Sequence, residues 1–391
     1  MTSKLFHNIG QLVTNDPLHD GTKLGVIEKA ALLIEDGVVA WAGPEDDAPT
    51  HHIKKKIDVQ GHAVIPGFVD SHNHMIFAGD RSKEFRARML GESYSAGGIA
   101  HTVEKTRAAS GETLRANAQS LFAEAYSGGT TTIECKSGYG LTVDDERRSL
   151  EIAQEFTDET TFLGAHVVPV EYKSNPKDYV DLVCGQMLEA VLPHAKWIDV
   201  FCDKGAFSVE DARTILQAGM RKGLLPRLHA NQIQEGGGVR LGVELGVASV
   251  DHVSHISVKD IEALSKSKVV ATLLPGAEFS TRSAYPDVRP LLEASITVAL
   301  ASDCNPGSSY TTNMPFIIAV AVRDMHFSPE QALWSATLGG AKALLREDVG
   351  HLSEGASADF SILKSDSYIH LAYRPGVNLI EEVWRNGLQI R

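Results

Sequence analysis

The segment Pro66-Gly67-Phe68-Val69-Asp70-Ser71-His72-Asn73-His74 is an apolar run that ends in two histidines one residue apart. Side chains alternate along a strand, so His72 and His74 project to the same side. Two imidazoles in that position are poorly used for packing and well placed to hold one metal ion. Alone, the pair reads equally well as a polar strand end, so other strand ends must decide its meaning. Further short apolar runs lead to Cys135-Lys136, His166, Asp203, His229, Asp251-His252 and Asp303. Of these, His72, His74, His229 and Asp303 form a reasonable set of nitrogen and oxygen ligands for zinc or ferrous iron. Three neutral imidazoles and one carboxylate leave such a site with net positive charge. A site of that kind lowers the pKa of bound water toward about 7.

These residues act together only if the fold brings the strand ends to one place. The runs 68–72, 130–135, 160–166, 197–203, 225–230, 248–252, 269–274 and 296–303 read as eight strands. Amphipathic helical stretches lie between them. Residues 113–126 place Leu114, Leu121, Phe122 and Ala125 on one side and stop at Gly128-Gly129. Residues 208–221 open with Ser208 as a capping residue. Eight strand–helix units predict an α/β fold, a (β/α)8 TIM-like barrel whose chemistry collects at the C-terminal strand ends. A doubly wound open sheet is the alternative, but no Gly-x-Gly-x-x-Gly follows an early strand. Both chain ends read as short strands, with a hairpin signal at Glu35-Asp36-Gly37. The expected division is 1–65 and 346–391 as two parts of a small β-sandwich domain, with 66–345 as the barrel.

Composition narrows the partners. The chain of 391 residues carries 50 acidic and 37 basic residues, a net charge of -13. That disfavours nucleic acid or an anionic membrane as a partner. An anionic small-molecule substrate then needs a local cation. Lys54-Lys55-Lys56 is the only lysine triplet and reads as a solvated face. Cys135, Cys184, Cys202 and Cys304 are too far apart for a Cys-x-x-Cys motif and read as reduced thiols. No signal-peptide pattern opens the chain and no run is apolar enough to span a membrane, so the expected location is cytoplasmic.

The pattern Pro-Gly-Phe-Val-Asp-x-His-x-His, with a later strand-end histidine and aspartate, resembles the amidohydrolase superfamily. Less common stretches are Phe77-Ala78-Gly79-Asp80-Arg81, Lys136-Ser137-Gly138-Tyr139-Gly140-Leu141, Thr161-Phe162-Leu163-Gly164-Ala165-His166 and Ser302-Asp303-Cys304-Asn305-Pro306-Gly307. In this order they resemble the imidazolonepropionase family, over nearly the whole chain. The resemblance implies hydrolysis of 4-imidazolone-5-propanoate to N-formimidoyl-L-glutamate in histidine degradation. It also implies one zinc or iron ion per subunit and a homodimer. Carried over residue by residue, it makes His72, His74, His229 and Asp303 the metal ligands. Arg81, Tyr139, His166, Gln232, Asn305, Gly307 and Ser308 become substrate contacts, and His252 the catalytic histidine.

Gln232 departs from members that carry glutamate there. An amide is no general base, so Gln232 can only orient water or substrate, and proton transfer falls to Asp303 or His252. Arg81 is expected to grip the propionate, against the alternative of a salt bridge to Asp80 or Glu84. Relatives with two metals use a carboxylated lysine; here Lys136 and Lys204 are expected to be structural or salt-bridged. The rival readings are another cyclic amidase, a deaminase, or a scaffold that has lost its chemistry. The absence of glutamate at 232 weighs against the deaminase, and the complete ligand set against the scaffold.

Overall fold

The computed structural model describes residues 3–51, 53–91 and 98–391. By internal contacts the chain separates into two compact units. One comprises 1–71, 123–132 and 313–391; the other comprises 72–122 and 133–312. Every candidate site residue belongs to the second.

The barrel strands are Phe68–Asp70, Thr130–Lys136, Glu159–Ala165, Trp197–Cys202, Leu228–Ala230, Ser249–His252, Val270–Leu273 and Val298–Leu300, hydrogen-bonded in that order. The pairings from Thr130–Lys136 onward are parallel. The strands are buried along their whole length, which is why they read as apolar runs without alternation. Ring closure comes just past the strand ends. The amide of Asp303 donates to the carbonyl of His72 at 3.1 Å, and that of His74 to the carbonyl of Cys304 at 3.0 Å.

Two expectations need correction. The single run 225–230 is broken into Leu225–Pro226 and Leu228–Ala230, because Pro226 has no N–H to continue a ladder. Several strands also stop short of the residue expected to end them. The first ends at Asp70 and the last at Leu300, so His72, His74 and Asp303 stand in the loops that follow.

The helix Gly111–Ser127 matches the stretch 113–126 and is followed by Gly129 at φ 94°. The helix Val209–Arg221 opens with a capping box between Ser208 and Asp211.

The two chain ends build one eight-stranded mixed sheet. Phe360–Leu363 from the C-terminal part pairs antiparallel with Val64–Pro66 from the N-terminal part. The hairpin between Val26–Glu35 and Val38–Pro44 turns on Asp36 and Gly37, at φ 47° and 90°. Positive φ at both central residues is what a tight two-residue hairpin requires. Phe6, Phe360 and Trp384 are buried together in this sheet's core.

Candidate active site

The Nε2 atoms of His72, His74 and His229 converge. His72 to His229 is 3.0 Å, His74 to His72 is 3.3 Å and His229 to His74 is 3.4 Å. Oδ1 of Asp303 lies 3.8 Å from Nε2 of His72 and 3.6 Å from Nε2 of His74. A tetrahedral centre with metal–nitrogen bonds near 2.0–2.1 Å spaces its ligand atoms by roughly 3.3 Å. The three histidine nitrogens stand at about that spacing and Asp303 slightly farther out, so the residues present fit a metal ion. All four side chains are buried. His252 stands at the edge of the same cluster, its ring 5.3 Å from that of His229. One of its nitrogens groups with those of His72 and His229 within 4.8 Å.

Carboxylates behind the cluster set the tautomers. Nδ1 of His72 lies 2.8 Å from Oδ2 of Asp251, and Nδ1 of His229 lies 2.9 Å from Oδ2 of Asp199. A carboxylate at Nδ1 keeps the proton there and leaves the Nε2 lone pair for the centre. Each carboxylate is in turn held by a buried cation. Arg227 reaches Asp251 at 3.1 Å. Lys136 reaches Asp199 at 2.9 Å and Glu134 at 2.8 Å. Lys136 is thus salt-bridged, as the sequence suggested.

Burial works to raise the Asp199 carboxyl, but His229 and Lys136 outweigh it and hold it well below the usual range. Burial above all pushes His72, His74 and His252 far below the usual imidazole range, which favours the neutral form of each. His252 at φ 78° and Asp303 at φ 52° both adopt left-handed backbone, which non-glycine residues rarely do. Such conformations cluster at functional sites.

The remaining expected residues, Gly307 excepted, line one pocket beside the cluster. Its wall includes Arg81, Tyr139, His166, Gln232, Asn305 and Ser308. His166 stacks on His74, ring centroids 5.3 Å apart, and its Nδ1 bonds to the carbonyl of Gly138 at 2.9 Å. Burial, aided by His229, lowers His166 to about 3, so it faces the pocket uncharged. Arg81 forms the ion pair with Glu84 that the sequence reading set aside in favour of a grip on the propionate, and it also lines the pocket.

Asn305 shapes its own loop. Its Oδ1 accepts from the amides of Gly307 and Ser308, both at 2.8 Å. Gly307 anchors the loop through its carbonyl, which accepts from Arg88 at 2.7 Å. Gln232 has its backbone fixed from behind, since its main-chain N–H donates to Asp203 at 2.7 Å. It also lines an adjoining cavity of about 430 Å³, together with Arg88, His255, Glu278 and Arg282.

Several contributors were given no role by the sequence: Asp199, Glu134, Arg227 and Glu146, while Asp251 was named only as a strand-end residue. Glu146 is buried, and its Oε1 accepts from the amides of Gly140 at 2.8 Å and Leu141 at 2.7 Å. It thereby fixes the loop that carries Tyr139.

A parallel barrel with a histidine–aspartate cluster past its strand ends defines a metal-dependent hydrolase of the amidohydrolase class. Residues 213–389 match the model of the amidohydrolase family. Solved structures agree on the fold. A triazine hydrolase from Arthrobacter aurescens superimposes with a TM-score of 0.80 at 18% identity, over 100% of this chain and 95% of that one. Guanine deaminase from C. acetobutylicum gives 0.72 at 16% identity, over 100% of both. Sequence comparison is more particular. The chain is 60% identical to the imidazolonepropionase of Mycolicibacterium smegmatis over 99% of this chain and 97% of that protein. It is also 60% identical to that of Salinispora tropica, over 99% of each. The chain belongs to the imidazolonepropionase family.

Proposed function

We propose that the protein hydrolyses 4-imidazolone-5-propanoate to N-formimidoyl-L-glutamate, with roles divided among its residues as follows. His72, His74, His229 and Asp303 hold one zinc or iron ion. When bound, that ion supplies Lewis acidity at the ring carbonyl and lowers the pKa of water toward about 7. His252 positions the attacking water or polarises the carbonyl. The water oxygen joins the carbonyl carbon and the ring C–N bond breaks. Asp303 passes the water's proton to the departing ring nitrogen. Arg81 holds the propionate, while Tyr139 and His166 flank the ring. Gln232 orients water or substrate by hydrogen bonds, since an amide cannot serve as a base. Asn305, Gly307 and Ser308 present polar groups from the loop after the last strand.

The observation that carries this reading is the convergence of three Nε2 atoms beside Asp303, in a pocket that also holds an arginine. We further propose a homodimer acting in the cytoplasm. In our reading 66–345 supply the barrel and 1–65 with 346–391 the accessory β domain. No described helix is long and apolar enough to cross a membrane.

The test is an assay with freshly generated imidazolonepropanoate, with zinc and iron measured on the same sample. Turnover with about one ion per subunit supports the reading. Absence of turnover from a metal-replete sample removes it. The second reading, a deaminase, rests on the shared barrel and is disfavoured by Gln232. Ammonia release from guanine, cytosine or adenosine would favour it.

A further inference from the structure

Arg81 immediately precedes the helix Ser82–Met89 and is 4% exposed. Its Nε donates to Oε1 of Glu84 at 3.0 Å and its Nη2 to Oε2 at 2.6 Å. This is a two-pronged fork, the arrangement that best fixes a guanidinium plane. Glu84 is tied to the same turn, since its amide donates to the carbonyl of Arg81 at 3.0 Å.

Two glycines from distant segments close on the same group. A Cβ on Gly98 would stand 2.0 Å from Nη2 of Arg81 and 2.4 Å from Oε2 of Glu84. A Cβ on Gly307 would stand 2.2 Å from Nη1 and 2.8 Å from Cζ. Neither glycine has the positive φ that would call for its conformational freedom; Gly98 is at -68°. The guanidinium fills the space that a side chain at either position needs.

We propose that Glu84 is a positioning residue for Arg81, and that the slot between Gly98 and Gly307 holds the guanidinium where it selects substrates bearing a carboxylate tail. The proposal rests on the reading of Arg81 given above and names what gives that residue its selectivity. A loose arginine loses much rotamer freedom on meeting a carboxylate, and a guanidinium already locked in place loses little. Glu84 takes the Nε and Nη2 edge of the guanidinium. The charge of Glu84 opposes that carboxylate only weakly, because its side chain is 38% exposed and water screens it. Arg88, bonded to the carbonyl of Gly307, keeps the second wall of the slot in register.

The test compares wild type, Arg81→Met, Glu84→Ala and Gly98→Ala on imidazolonepropanoate and on an imidazolone without the propionate, with melting curves for each. Glu84→Ala is expected to raise KM for the tailed substrate about tenfold, the scale of one hydrogen bond to a charged group. Its kcat should change little, and its kinetics on the tailless ring should match wild type. Glu84→Gln, which keeps an oxygen facing Arg81, should recover part of the loss. Gly98→Ala, with an unchanged melting temperature, should reproduce the KM effect by displacing the Arg81 guanidinium. It keeps the proposal testable if Glu84→Ala fails to fold.

An unchanged or lowered KM in Glu84→Ala overturns the proposal, because Glu84 is then an ordinary ion pair or a competitor for Arg81. Equal losses on both substrates overturn it too, because Glu84 then supports the helix. A wild type inactive on imidazolonepropanoate removes the parent reading and this proposal with it. An active wild type with an unaffected Glu84→Ala removes this proposal alone.

Discussion

Oδ2 of Asp199 lies 2.9 Å from Nδ1 of His229. The same oxygen lies 2.9 Å from Nζ of Lys136, so a ligand imidazole and a wholly buried cation share one carboxylate. The arrangement holds His229 in one tautomer and one orientation. Asp199→Asn keeps the size but gives up the charge that both neighbours face. It should lower metal affinity about 10–100-fold, the usual effect of losing such support behind a ligand. Chelator competition measures this, and an affinity equal to wild type would sink the assignment. Lys136→Met should act on folding more than on the metal. It leaves Glu134 and Asp199 buried without their cation, which costs about 3–5 kcal/mol. Urea denaturation reads that directly.

His229→Ala and Asp303→Ala each remove one of four proposed ligand atoms. Both should lose the metal and nearly all turnover while keeping the fold. Elemental analysis together with circular dichroism decides. Stoichiometric metal and wild-type turnover in either variant would remove that residue from the set.

The strand-end chemistry was legible in the sequence because a barrel gathers the C-terminal ends of strands far apart in the chain. His72, His74, His166, His229, His252 and Asp303 each end an apolar run, and the structure brings them to one cluster and its pocket. The break at Pro226 was legible in principle, since the missing N–H is a property of the residue itself. The supporting charges were not. Asp199 lies inside the strand Trp197–Cys202, Glu134 inside Thr130–Lys136, and Arg227 between two short strands; of this group only Lys136 was expected to be salt-bridged, without its partners. What pairs them is contact across strands, which a linear pattern does not specify. The signal that existed was their polarity. A charged residue inside a strand buried on both faces needs a buried partner. The pair Arg81–Glu84 was visible as an i, i+3 spacing. Its slot was not, because it depends on Gly98 and Gly307 arriving from elsewhere.

His252 should behave differently from the ligands. It is placed as the residue acting on water or carbonyl, although its nitrogen also groups with those of His72 and His229. His252→Ala should keep the metal and lose about 10²–10⁴ in kcat, the scale of a missing acid–base group. Metal loss equal to that of His229→Ala would make it a ligand instead.

The last prediction concerns Glu278, which is 4% exposed beside the cavity that Gln232 also lines. Ser254 donates to its Oε1, and its Oε2 has no hydrogen-bond partner. Burial raises the carboxyl from 4.5 to about 7, with the Ser254 bond pulling it part of the way back. The sign of the stability effect follows from proton binding. Between pH 4.5 and about 7 the folded state holds a proton at Glu278 that the unfolded state has released. The stability this group supplies is therefore full below its unfolded value and is lost as pH rises through the folded one. Across that range the loss amounts to about 3 kcal/mol. Glu278→Gln removes the ionisation and keeps an acceptor for Ser254. The variant should resemble wild type near pH 4.5 and become the more stable of the two by pH 8, by an amount of that order. Paired urea melts at the two pH values measure the difference. A gap between variant and wild type that stays constant across the range would show that Glu278 titrates normally, and that the buried carboxyl finds a stabilising partner in solution.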